Sequence, residues 1–100
     1  MADKRVFKFE YNSGDAQAPV FLEDFDHEYR AVKLGPIVTG VGYIQATTDS
    51  REDIEDNQAD WETWPAGSVS TATSDTLDPS VTAIRVYRTS GDLRLVVRLI

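Results

Sequence analysis

Apolar and polar residues alternate with period two along most of this chain, and the alternation is clearest near the C-terminus. Thr82, Ile84 and Val86 alternate with Ala83, Arg85 and Tyr87, and Leu93, Leu95, Val97 and Leu99 alternate with Arg94, Val96 and Arg98. Thr89-Ser90-Gly91-Asp92 separates the two runs, so Val81 to Leu99 is predicted to be a β-hairpin with a two- or four-residue loop. Either loop sets Ile84 opposite Val97, Val86 opposite Leu95 and Thr82 opposite Leu99, all on one face. The other face carries Arg85, Arg94, Arg98 and Tyr87, a surface that is solvated or covers acidic neighbours.

The same pattern recurs upstream. Phe7, Phe9 and Tyr11 share one side of a first strand and Lys8 and Glu10 the other. Asn12 to Pro19 is turn chemistry, followed by a second strand from Val20 to Glu23 or Phe25. Tyr29 to Leu34 reads as a third strand stopped by Gly35-Pro36, since proline lacks the donor a central ladder needs. Ile37 to Thr39 extends an edge, and Gly40 and Gly42 mark a bulge or a close backbone crossing before Tyr43 to Thr47. Asp49 to Asp60 is polar, with Ser50 or Asp49 as N-cap of one helical turn around Glu52 to Asn57, and Ile54 is its strong apolar anchor. Ala59 to Trp64 and Ser68 to Thr73 return to strand character, and Ser74 to Ser80 supplies a long turn. Seven or eight short strands with at most one helical turn near residues 52–57 predict an all-β fold. Its expected form is one small antiparallel β-sandwich, jelly-roll-like or Greek key, spanning residues 1–100.

Composition narrows the function classes. The 100 residues are 41% apolar, enough for one domain, and a chain of this size buries roughly 60 to 65% of its extended surface, so a partner subunit would stabilise it. Seventeen acids against ten bases give a net charge of -7, which argues against nucleic acid and anionic membrane as partners. Absence of cysteine removes disulfide and thiolate chemistry, and one histidine cannot assemble the usual zinc sets. Met1 to Arg5 leads directly into the first strand, without a signal peptide or a membrane-crossing run, so synthesis in a cytoplasm is expected.

Candidate chemistry is sparse. His27 lies among Asp24, Asp26 and Glu28, but strand geometry would turn the histidine away from the acids. Asp49, Glu52, Asp53, Glu55, Asp56 and Asp60 form the densest acidic run, without glycine or an EF-hand pattern. The run reads as a charged loop that protects an edge or reaches a basic patch on a neighbour. Gly40-x-Gly42 does not continue as a nucleotide loop. No acid, base and nucleophile can be assigned together, so the expectation is a non-enzymatic protein without metal or cofactor. Trp61 and Trp64 fall on opposite faces of a regular strand, one for the core and one for a partner or a sugar ligand.

Lys33-Leu34-Gly35-Pro36-Ile37-Val38, Gly40 to Gln45, Thr47 to Ser50, Ala59 to Gly67 and Val81 to Val86 together resemble small β-sandwich accessory proteins of tailed-bacteriophage particles. The resemblance covers about two thirds of the chain. It implies a virion protein made in the host cytoplasm: an oligomeric capsid decoration or cement protein, or else a tail or neck adaptor. Its partners would be the major capsid protein or another virion protein, and further copies of itself. Trp61, Trp64, Tyr43, Tyr87, Arg85, Arg94 and Arg98 are the candidate interface residues, and a carbohydrate-binding module using an exposed Trp is the alternative.

Overall fold

The computed structural model describes residues 6–12, 18–22, 30–78 and 80–99. These form β1 (Val6–Tyr11), β2 (Val20–Phe21), β3 (Arg30–Thr47), α1 (Arg51–Glu55), β4 (Glu62–Thr63), β5 (Thr73–Leu77) and β6 (Ala83–Leu99). The result is a small antiparallel β-sheet domain of six strands with one short helical turn among the described residues.

Two long strands run through its centre. β3 and β6 pair along their full lengths, from Arg30 opposite Leu99 to Thr47 opposite Ala83. Along the other edge of β6 lie β2, against Ala83 and Ile84, and β1, against Leu93 to Arg98. Along the other edge of β3 lie β5, against Arg30 to Leu34, and β4, against Gln45 and Ala46. Each half of the central pair is thus flanked on both sides. One half is ordered β5-β3-β6-β1 and the other β4-β3-β6-β2.

Residues 83–99 are one continuous strand, which corrects the expected hairpin. Every apolar residue assigned to its buried face is buried where its side chain is described: Ile84, Val86, Leu93, Leu95 and Val97. Their neighbours come from β3 and β1 rather than from a folded-back half of the same segment. The inward set changes from even to odd numbers between Val86 and Leu93. A chain reversal and a one-residue bulge both produce that change, and here a bulge does so. Val41 opposes Ser90 while Gly42 opposes Arg88, which leaves Thr89 as the extra residue. On β3, Ile37, Val38 and Thr39 stand where β6 has only Asp92. Two extra residues preserve parity, so Val32, Leu34 and Ile44 all point inward.

Glycine makes this crossing feasible. Gly91 has φ +67°, and a Cβ there would overlap the carbonyl oxygen of Thr39; a Cβ on Gly40 would come 2.5 Å from the Asp92 carbonyl oxygen. The expected bulge or close approach at Gly40 and Gly42 is therefore present.

Pro36 does not end the third strand as expected. β5 leaves the edge of β3 after Leu34, and Pro36 lies just beyond, where its missing N–H breaks no bond to that neighbour. Of the expected strand Ser68 to Thr73, only Thr73 is in a strand; Val69 forms an isolated bridge with Gly42, and the strand Thr73–Leu77 runs into the expected turn. Hydroxyl and acidic side chains hid it, because an edge strand pairs through its backbone and needs one anchor, here the buried Leu77. Between Ala59 and Trp64 only Glu62–Thr63 is strand.

The helical turn forms as expected. The Ser50 side chain accepts from the Asp53 N–H at 3.2 Å, and Ile54 is its buried residue. Phe7, Phe9 and Tyr11 lie opposite Val97, Leu95 and Leu93 and pack on the same cluster. That cluster draws Val32 and Leu34 from one half of the sheet, Ile44 and Ile84 from the other, and seals them with Leu22, Trp64 and Leu77. Removing such side chains from water contributes roughly 1.5–3 kcal/mol each.

Candidate functional site

The pairing of β3 with β6 puts Tyr43 directly opposite Tyr87 and Gln45 opposite Arg85, on the face away from Ile44 and Val86. The two tyrosine rings stack 5.3 Å apart at 6°. Arg85 Nε donates to Gln45 Oε1 at 2.9 Å, and this bond directs the guanidinium. The guanidinium lies 4.2 Å from the centre of the Trp61 ring and 5.1 Å from that of Tyr87. A cation held against two rings contributes about 0.5–2 kcal/mol depending on desolvation. Tyr43, Tyr87, Arg85 and Trp61 therefore form one half-buried surface in a fixed arrangement.

Trp64 takes the opposite role from Trp61. It is 4% exposed, its backbone N–H donates to the Ile44 carbonyl at 2.9 Å, and its indole N–H donates to the Gly67 carbonyl at 2.6 Å. Pro65-Ala66-Gly67 turns the chain there, with the Gly67 N–H on the Trp64 carbonyl at 3.0 Å. Trp64 belongs to the core rather than to a contact surface.

Arg94 and Arg98 lie in the other half of the sheet, apart from the aromatic face. Arg94 Nη2 reaches Glu10 Oε1 at 3.2 Å in a solvent-exposed pair. With Lys8 and Lys33, the two arginines surround Val96 in a concavity of about 870 Å³. Register explains the grouping, since Val96 stands between Lys8 of β1 and Lys33 of β3. Sequence reasoning missed both lysines and Gln45, because their neighbours are fixed only once the strand order is known.

The acidic loop is organised by its own backbone. Asp49 Oδ2 accepts from the Asp60 N–H at 2.6 Å, Thr47 Oγ1 accepts from the Asp49 N–H at 3.1 Å, and Arg51 pairs with Glu55 at 3.6 Å. Arg51 also covers Phe21 at 4.0 Å, tying the loop to β2. Among the described residues, no group of three His, Asp or Glu side chains converges to hold a metal ion. His27 with Asp24, Asp26 and Glu28 lies outside the described residues. No helix among the described residues is long and apolar enough to cross a membrane.

Among the described residues, two groups have shifted acidities. Burial pushes the Tyr11 phenol up to about 12, and the Ser80 backbone N–H, with its hydroxyl, holds the exposed Asp78 carboxyl below its usual range.

No family model, curated protein or solved structure matches the chain.

Proposed function

We propose that this chain is a non-enzymatic structural protein of a tailed-phage particle: a homo-oligomeric decoration protein, made in the host cytoplasm, that binds and reinforces the capsid shell. Its partner on the shell is the major capsid protein or another virion protein. The resemblance of Lys33 to Val86 to small phage accessory proteins supports this reading. The long strands with their register shifts, and one core cluster drawn from both halves of the sheet, support the β-sandwich architecture that the resemblance implies.

The observation that carries the docking role is the Arg85 guanidinium held between Trp61 and Tyr87, with Tyr43 stacked behind. Tyr, Trp and Arg are enriched among the few residues that carry most of the binding energy at protein interfaces. Here the cross-strand pairing and the Gln45 hydrogen bond order them before any partner arrives, which lowers the entropic cost of binding. The same arrangement weakens the sugar-platform alternative, because Arg85 occupies one face of the Trp61 ring.

The test is co-sedimentation of the purified protein with phage shells lacking it, alongside a glycan array. The proposal expects saturation at a stoichiometry matching the shell symmetry, and no glycan signal. Binding to tail or neck assemblies alone would replace the decoration role with an adaptor role. Glycan binding that disappears in Trp61→Ala would replace both with a carbohydrate-binding module.

A further inference from the structure

Among the described residues, an acidic and a basic region are segregated in space. Residues 49–62 hold seven acids, Asp49, Glu52, Asp53, Glu55, Asp56, Asp60 and Glu62, against Arg51 alone, which leaves the rest of the chain close to neutral. On the β5-β3-β6-β1 half of the sheet, Lys8, Lys33, Arg94 and Arg98 surround the concavity over Val96. Among the described residues, Glu10 pairs there with Arg94. The loop emerges from the far end of β3, beyond Thr47, and the ion pairs of the described residues keep to one region or the other, Arg51 with Glu55 and Arg94 with Glu10.

We infer that the concavity of one copy receives the acidic loop of a second copy, so that the chain self-associates head to tail. Charge complementarity selects this occupant: four cations around a recess of about 870 Å³ match residues 49–62, the most acidic of the described segments. The recess also fits a polypeptide rather than a bare ion, because Val6, Pro36, Ile37 and Val96 line it between the charged groups. Ile37 remains 40% exposed at its rim and is covered by such a contact. The two surfaces are different, so the contact is heterologous and propagates into a closed ring or an open row. This inference rests on the homo-oligomer part of the proposal above and supplies its two surfaces.

The experiment is sedimentation equilibrium of the full chain in about 0.01 M and about 1 M salt, where the screening length falls from about 30 Å to about 3 Å. The expected mass exceeds the single-chain 11.2 kDa at low salt and returns to it at high salt. Two double variants follow, K33E/R98E and E52K/D56K, each checked by circular dichroism. Each alone sediments at a lower mass than the wild type at low salt, since K33E/R98E cancels the net charge of the four cations and E52K/D56K lowers that of the loop from -6 to -2. A single-chain wild type at low salt overturns the inference, and if that monomer still saturates shells the decoration role stands without it. Undiminished mass in both double variants overturns the head-to-tail contact while leaving homo-oligomerisation intact.

Discussion

Gly91 and Gly67 have nearly the same backbone angle, φ +67° and +65°, yet their surroundings separate two effects that usually occur together. A Cβ on Gly67 meets nothing within 4 Å, so Gly67→Ala carries only the left-handed backbone penalty of about 1 kcal/mol. A Cβ on Gly91 overlaps the Thr39 carbonyl and approaches Gly40 Cα to 2.6 Å, where backbone cannot yield cheaply. Gly91→Ala therefore adds an overpacking cost and should destabilise by roughly 2–4 kcal/mol. Urea unfolding of the two variants checks this, and equal losses would show that the strand crossing is not tightly packed. The difference is invisible in sequence, where both glycines follow residues suited to turns.

At the scale of elements, β1 shows how an edge strand is held. Phe7, Phe9 and Tyr11 pack on the core cluster opposite Val97, Leu95 and Leu93, while Lys8 and Glu10 face water. Tyr11 is the most buried of the three aromatics, and desolvation raises its phenol from 10.0 to about 12. Because the folded state binds the proton more tightly, this contribution to stability is complete below pH 10. It is lost as pH rises from about 10 through about 12, an effect on the order of 2–3 kcal/mol. Tyr11→Phe should flatten the stability profile in that window, measured by denaturant titration at stepped pH.

β1 was legible because its alternation alone names the buried face. The segment 83–99 was legible in its buried residues but not in its partners. A parity change between Val86 and Leu93 is common to a turn and a bulge, and Ser90-Gly91 suits both. Pro36 misled for a related reason: its missing donor matters only if a neighbour needs it, and the extent of β5 decides that. β5 carries one strong apolar residue, so periodicity had little to report. At the candidate site, sequence named Tyr43, Trp61, Arg85 and Tyr87 separately, whereas Gln45 and the meeting of all five depend on β3 crossing β6 in this register.

For the whole molecule, the two through-going strands give each half of the sheet a distinct surface. One half carries the Tyr43–Tyr87–Arg85–Trp61 face and the other the concavity of Lys8, Lys33, Arg94 and Arg98. A protein that contacts a shell through one surface and its own copies through another gains from many weak contacts made together. The assembly proposed above would also stabilise the core of this 100-residue chain. The central claim is that the aromatic face is the one that docks. Its most direct test is the affinity of Arg85→Ala for shells lacking the protein, since Arg85 touches Trp61, Tyr87 and Gln45. A reduction of about tenfold or more, with the unfolding free energy changed by less than about 1 kcal/mol, is the predicted result. Wild-type affinity and saturation in a folded Arg85→Ala protein would contradict it.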